Sequence, residues 1–260
     1  MRALVLSDIH ANIDALEAVL EAAGDTARGY DTVWNLGDVV GYGAAPNEAV
    51  NRVRALCGMF VRGNHDRACC GLTNAEDFNP VALAAARWTQ KELTEDNKRW
   101  LHDMPRGPIM PDESRDSRPQ VSCVHGSLLD EDEYILFMDD ARRQFVNSPI
   151  RLTFFGHTHV QGAFAVNEGA DSFELKPTYS SDEDADSYEL DLREGASYLI
   201  NPGSVGQPRD RDWRAAFAIY DDVAQRVTFQ RVPYPVRAAQ IRIQRAGLPE
   251  MLATRLRSGR

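Results

Sequence analysis

Residues 3 to 12 read ALVLSDIHAN: four apolar residues, a serine, an aspartate and a histidine two places apart, then an asparagine. The apolar run has the length and composition of a buried strand. Asn12 reads as a helix N-cap, because Ile13, Leu16, Val19, Leu20 and Ala23 follow at helical spacing and Gly24 stands where a C′ residue would. The stretch therefore predicts a strand, a turn carrying Asp8 and His10, and a helix packed back on the strand, the opening unit of an α/β sheet.

The same arrangement recurs. Apolar runs start at residue 32 (TVWNL), 58 (GMFV), 121 (VSCV) and 151 (RLTFF), and they close on GDVVG, RGNHD, HGS and GHTH. An open α/β sheet presents ligand-bearing loops at the carboxyl ends of its strands, so these five ends are expected to converge on one site. Pro46 begins a second helix that ends near Gly58. Residues 74–104 read as a helical pair, started by Pro80 and capped at Thr94, that either packs on the sheet or partly covers the site. Residues 105–120 are a proline-rich loop. Beyond Gly162 the runs AFAV, SFEL, YELDL, SYLIN and AAFAIYD read as antiparallel strands, and an Arg-rich amphipathic helix follows from Val236. Residues 1–260 are expected to form one domain, with the 74–104 insert and the 236–260 tail as its appendages.

Composition narrows the chemistry. With 43% hydrophobic residues among 260, the chain can bury a substantial core. Its 29 Lys plus Arg against 39 Asp plus Glu repel a polyanion, so long nucleic acid is a poor partner. The acidic runs DEDEY at 130–134 and SDEDADSYELDLREG from 181 read as solvated loops or exposed sheet faces. The four cysteines, Cys57, Cys69, Cys70 and Cys123, lack zinc spacing and disulfide density. With no signal-like or membrane-spanning stretch, a cytoplasmic location is expected.

Five of the six histidines, His10, His65, His125, His157 and His159, lie in the strand-end clusters beside Asp8, Asp38 and Asn64; His102, in the helical insert, reads as exposed or structural. Imidazole, carboxylate and amide oxygen suit Mn, Fe, Zn, Co or Ni, and the lack of thiolate argues against a structural zinc or an iron–sulfur cluster. So many ligands exceed one tetrahedral ion and suit two ions sharing a ligand, a recurrent device for displacement at phosphorus. If strand geometry continued into the turn, Asp8 and His10 would leave on one side, as would His157 and His159, unless a turn sent that second pair to adjacent ions.

Asp8-x-His10, Gly37-Asp38-x-x-Gly41, Gly63-Asn64-His65-Asp66, His125-Gly126 and Gly156-His157-x-His159 together resemble the motifs of the calcineurin-like metallophosphoesterases, in order and intact across residues 8–159. The SDIHAN opening and NPGSVGQPRD resemble the small prokaryotic phosphodiesterase group that includes diadenosine tetraphosphatase-like proteins. The resemblance implies a four-layer α/β/β/α sandwich of two mixed β-sheets flanked by helices. It implies Asp8, His10 and His159 on one metal, Asn64, His125 and His157 on the other, and Asp38 bridging, with two divalent or trivalent ions as cofactors and His65 held off them.

The expected reaction is hydrolysis of a small phosphoester, a phosphodiester or nucleotide, by in-line attack of a hydroxide bridging the metals, with His65 as general acid. In the phosphoprotein phosphatase branch the segment after the bridging aspartate supplies another Asp and an Arg. Gly41 and Tyr42 stand there instead, which removes the carboxylate that usually orients the acid histidine and argues against a protein substrate. Ala11 replaces the commoner glycine after the first histidine. In YLINPGSVGQPRD, 198–210, Arg209 is a candidate for binding substrate phosphate, unless the segment only closes the sheet. Two further classes fit the motifs: a non-catalytic interaction module like the retromer subunit that resembles these enzymes, and a nuclease.

Overall fold

The computed structural model describes residues 1–24, 29–111, 121–147, 150–167, 169 and 171–260. Its strands are β1 Arg2–Leu6, β2 Thr32–Asn35, β3 Met59–Phe60, β4 Val121–Cys123, β5 Leu152–Phe154, β6 Gly162–Asn167, β7 Ser172–Leu175, β8 Asp186–Asp191, β9 Ala196–Asn201, β10 Ala215–Asp221 and β11 Arg226–Val232. Its helices are α1 Ile13–Gly24, α2 Pro46–Leu56, α3 Asn64–Cys70, α4 Pro80–Glu92, α5 Glu95–His102, α6 Met138–Asn147, α7 Val236–Arg245 and α8 Glu250–Thr254, followed by a 3-10 turn, Arg255–Arg257. None is long and apolar enough to cross a membrane.

Two mixed sheets form, ordered β3-β2-β1-β10-β11-β8 and β4-β5-β9-β6-β7. The period-2 alternation of β1 shows how they stack. Ala3 and Val5 enter the layer between the sheets, where Trp34, Phe154, Ile200, Tyr220 and Phe229 interlock, while Leu4 and Leu6 face the helices. On that outer face α1, α2, α4, α7 and α8 bury Leu16, Val19, Val50, Ala85, Ile243 and Leu252 in the largest cluster. Helix α6 covers the opposite face over Val124, Phe155, Phe164 and Leu199. Helix, sheet, sheet and helix therefore stack as four layers.

All five expected ligand-bearing strands form, and β1, β2 and β3 run parallel to each other, as do β4, β5 and β9. Their carboxyl ends consequently meet at one edge of the sandwich. The later strands do not make a single antiparallel run: β9 joins β5 in parallel, and the group divides between the two sheets. Asn12 caps α1 as expected, its Oδ1 accepting from Ala15 N at 3.2 Å, but Gly24 is the last helical residue and not one beyond it. Helices α4 and α5 are a packing element, burying Ala82, Ala85, Ala86, Leu93 and Leu101 in the outer core. Only Phe78, just before α4, reaches the predicted site. Ile109 bridges Cys123 within the expected loop, whose residues 112–120 lie outside the described ones.

Candidate metal centre

The loops that leave the strands turn sharply. Asp8, His10, Asp38, His157 and His159 all adopt left-handed backbone, with φ of 53°, 49°, 53°, 65° and 59°. Non-glycine residues there are held against about 1–2 kcal/mol of local strain each. Asp8 and His10 thus reach the same place through a left-handed turn, not through continued strand pleat, which corrects the geometric reason given for that pair. Hydrogen bonds between loops hold these turns: Asp8 N to Gly37 O at 3.0 Å, His10 N to Asp38 O at 2.9 Å, Gly206 N to Asp8 O at 3.0 Å and Gly156 N to His125 O at 2.8 Å.

Two buried clusters of ligand atoms result, Asp8, His10, Asp38 and His159 in one and Asp38, His125 and His157 in the other. Asp38 belongs to both. Its Oδ1 accepts from His65 N at 2.9 Å, and its Oδ2 stands 3.6 Å from His10 Nε2 and 3.6 Å from His125 Nε2. Asn64 Oδ1 adds an amide oxygen 3.2 Å from His125 Nε2. His157 and His159, two residues apart, go to different clusters.

Tautomers decide whether this arrangement suits cations. His10 Nδ1 donates to Val40 O at 3.0 Å, His125 Nδ1 to Leu36 O at 2.8 Å and His159 Nδ1 to Gln207 O at 2.6 Å. A carbonyl can only accept, so in the neutral ring each Nε2 keeps a bare lone pair. His157 is reversed: Nε2 donates to Asp132 O at 3.1 Å, which bares Nδ1. His10 Nε2 and His159 Nε2 lie 3.1 Å apart. Asp8 Oδ2 accepts from Ser7 Oγ at 2.6 Å and His157 N at 3.1 Å, yet the buried Oδ1 has no donor and sits 3.2 Å from His159 Nε2. Lone pairs facing one another without an intervening proton repel, and a cation between them removes the repulsion. The donor set fits metal.

The protonation tendencies agree. Burial, with the neighbouring cationic forms of His159 and His65, holds His10 well below the usual imidazole range; burial with Arg209 lowers His159, and burial with His125 lowers His157. His125 is the exception, since Asp38 and Asp8 overcome its burial and raise it. Burial, aided by Asp66 and Asp8, raises Asp38, whereas in Asp8 the three imidazoles outweigh the effect of burial and lower it.

His65 stands beside the clusters at the start of α3. Its ring lies 4.4 Å from Tyr42, 4.6 Å from Phe78 and 5.0 Å from His10, centroid to centroid, and its buried Nδ1 has no partner. Aromatic rings, and not a carboxylate, surround this imidazole. Burial and Arg209 lower its proton affinity. Asp66, next in sequence, binds no cluster: its carboxylate accepts from Gly63 N at 3.0 Å and Val40 N at 3.2 Å, tying two ligand loops together, and burial raises it to about 6.

Arg209 is half-buried beside the clusters, its main-chain N donating to His159 O at 3.2 Å. Its Nη2 donates to Gln207 Oε1 at 3.0 Å and Tyr42 Oη at 3.4 Å, with the guanidinium 5.7 Å from the Tyr42 ring centre. His102 is exposed beside Asp103 and far from this chemistry. The acidic run at 130–134 is not merely solvated. Glu131 pairs with Arg62 and Arg67, Asp132 supplies the carbonyl that orients His157, and Tyr134 stacks on His157 at 3.9 Å. By contrast β8, in the acidic run from 181, is a largely exposed edge strand, as read. In the sequence Tyr42 marks only the place of a missing group, and Phe78, Asp132, Tyr134 and Gln207 escaped the sequence reading, because carbonyls and ring faces carry no ligand-like signature.

A sequence model of calcineurin-like phosphoesterases matches residues 1–161. An uncharacterized protein of Methanocaldococcus jannaschii is 33% identical over 264 aligned positions, covering 98% of this chain and 97% of that one. The crystal structure of a metallophosphoesterase from Sphaerobacter thermophilus is 41% identical, covers 100% of this chain and 99% of its own, and has a TM-score of 0.81. A hypothetical protein from Pyrococcus horikoshii OT3, covering 100% and 98%, shares the fold with a TM-score of 0.76 at 19% identity.

Proposed function

The chain belongs to the calcineurin-like phosphoesterase family and is a metal-dependent phosphoester hydrolase; on that premise we propose a dinuclear centre that hydrolyses a small phosphodiester or nucleotide. The observation that carries this reading is the pair of buried clusters sharing Asp38, with bare lone pairs turned toward each other. Asp8, His10 and His159 would hold one ion, Asn64, His125 and His157 the other, and Asp38 both. The donor set favours Mn, Fe or Zn and accepts Co or Ni. Two such cations would bring the acidity of water toward neutral pH and neutralise charge on the phosphoryl oxygens.

The side chains then have distinct tasks. Water adds to phosphorus in line with the leaving oxygen and gives up a proton to solvent, the bond to that oxygen breaks, and His65 delivers its own proton there. Tyr42 and Phe78 hold the His65 ring, so its aim does not depend on a carboxylate. Since burial and Arg209 disfavour the imidazolium, His65 takes up its proton together with the anionic substrate. Arg209 supplies positive charge for an anionic group of the substrate. We place the enzyme in the cytoplasm, which the four free cysteines suit.

The test is a screen of Mn²⁺-loaded protein against aryl phosphates, phosphodiesters, cyclic nucleotides and dinucleoside polyphosphates, with His65→Ala as control. Turnover of a diester or nucleotide that drops about 10²-fold or more in His65→Ala is expected. Two tightly bound ions without hydrolysis of any substrate would overturn the proposal, and turnover indifferent to His65→Ala would remove its acid role.

A further inference from the structure

Most arginines near the strand ends are neutralised by carboxylates. Arg62 pairs with Glu131, Arg67 with Glu131 and Asp132, Arg214 with Asp212 and Arg231 with Asp210. In a chain with 39 acidic and 29 basic residues such partners are plentiful. Arg209 has none among the described residues: its only side-chain partners are the neutral Gln207 and Tyr42. Arg255, in the 3-10 turn after α8, is similar. Its Nε donates to an oxygen of Arg260, the last residue, and among the described residues it has no Asp or Glu partner and no hydrogen bond from either Nη.

The two guanidiniums belong to one place. Arg211 N donates to Gly259 O at 2.8 Å, which fastens the C-terminal segment onto the loop of Arg209. Leu256, next to Arg255, lines the same narrow crevice as Tyr42 and Gln207, the two side chains that Arg209 contacts. Burial, together with the nearby Arg209 guanidinium, lowers the proton affinity of Arg255. Both are only half-buried and so open to a ligand. Two like charges kept together without an Asp or Glu partner among the described residues, beside a ring that packs on His65, make a site for an anion outside the metal clusters.

We propose that Arg209 and Arg255, with the Tyr42 hydroxyl, form an anion subsite on the leaving-group side of the metal centre, so that preferred substrates carry a second phosphate or a carboxylate on the leaving group. The inference rests on the proposed hydrolase reading, because His65, packed against Tyr42, marks that side. It also gives the C-terminal segment a part in substrate choice, which a merely structural tail would lack.

The experiment measures phenyl phosphate, 3-carboxyphenyl phosphate and 1,3-phenylene bisphosphate as competitive inhibitors of bis(4-nitrophenyl) phosphate hydrolysis by Mn²⁺-loaded protein. The doubly anionic compounds should bind about tenfold more tightly than phenyl phosphate, the scale of one charge-assisted hydrogen bond. Whichever of the two gains more identifies phosphate or carboxylate as the second group. Arg209→Gln and Arg255→Gln should each bring that ratio toward one, and Arg255→Lys should restore part of it, with melting curves checking that each variant folds. A wild-type ratio near one, or a ratio that survives both substitutions, would overturn the subsite. If bis(4-nitrophenyl) phosphate is not hydrolysed, the hydrolase reading fails separately. Calorimetric titration of 1,3-phenylene bisphosphate into wild type and Arg255→Gln then still decides the subsite, which stands only if the substitution weakens binding.

Discussion

Replacing Gly41 by alanine tests whether ring packing aims His65. Gly41 has φ of +90°, and a Cβ built there would lie 3.0 Å from Cγ and 3.1 Å from Cβ of His65, and closer still to Nδ1. The imidazole cannot retreat freely, because Tyr42, Phe78 and His10 stand around it at centroid distances of 4.4, 4.6 and 5.0 Å. Relief therefore requires a ring shift of about 1 Å, and misplacement on that scale lowers a rate about 10²-fold. The left-handed backbone adds about 1–2 kcal/mol of strain, so a modest fall in melting temperature accompanies the change.

The cluster atoms are not what the new methyl group meets, so two metal equivalents per chain should remain. Steady-state kinetics on two diesters separate the effects. An alkyl ester, whose leaving group needs a proton, should lose about 10²-fold in kcat, and bis(4-nitrophenyl) phosphate, whose leaving group departs as an anion, less than about tenfold. In a His65→Ala background the same substitution should add little, since both changes act through one side chain. Equal losses on both esters together with loss of metal would show that Gly41 shapes the metal site instead. Unaltered kinetics on the alkyl ester would refute the packing argument.

Other predictions address the clusters and the fold. His157→Ala and His159→Ala should each leave one metal equivalent, and elemental analysis with site-resolved spectroscopy should find different ions missing; loss of the same ion from both would break the assignment to two clusters. On acidification protons compete with metal for each imidazole. His125 is the one cluster imidazole raised, whereas His157, His10 and His159 are lowered, so protons take His125 first and the ion it shares with His157 should dissociate at higher pH than the ion held with His10, as a two-step release in equilibrium dialysis. Simultaneous release, or the reverse order, would contradict it. Arg231→Ala removes the 2%-exposed guanidinium that donates to Gln161 Oε1 and Arg214 O and pairs with Asp210. Leaving that carboxylate half-buried and unpaired should cost about 3–5 kcal/mol in urea denaturation, and a loss below 1 kcal/mol would show that the network is replaceable.

The strands that carry the site were legible because each is a short apolar run ending in residues that suit no core. Less visible elements have specific causes. In β11 only Val227, Phe229, Arg231 and Val232 are buried, so charged and polar residues interrupt the apolar signal. Helix α3 begins on Asn64 itself, and its seven residues are too few for a periodicity to emerge beneath the ligand motif. Helix α6 buries only Ala141 and Gln144, and it follows the acidic run that composition marks as solvent-facing. In the site, residues that offer lone pairs announced themselves by type. Those that aim the lone pairs did not: Val40, Leu36 and Gln207 act through main-chain oxygens, which every residue has.

That division bears on how the centre stays assembled. Bare imidazole nitrogens 3.1 Å apart and a donorless Asp8 oxygen repel, and the five left-handed ligand residues add strain of about 1 kcal/mol or more apiece. Neither contribution favours folding without metal, so the arrangement must be held by what surrounds it. The surrounding hydrogen bonds are of two kinds: main-chain bonds between loops, and carbonyls that fix each ring through its other nitrogen. Both sets use atoms other than the lone pairs that face the clusters, as do the Asp66 bonds to Val40 and Gly63. Metal binding should then relieve repulsion within a frame held by its own hydrogen bonds and should not be needed to order the loops. Chelation should accordingly lower the melting temperature while far-ultraviolet circular dichroism and the inter-sheet core remain native, and collapse of the fold on chelation would mean that the ions, not the loop bonds, hold the strand ends together.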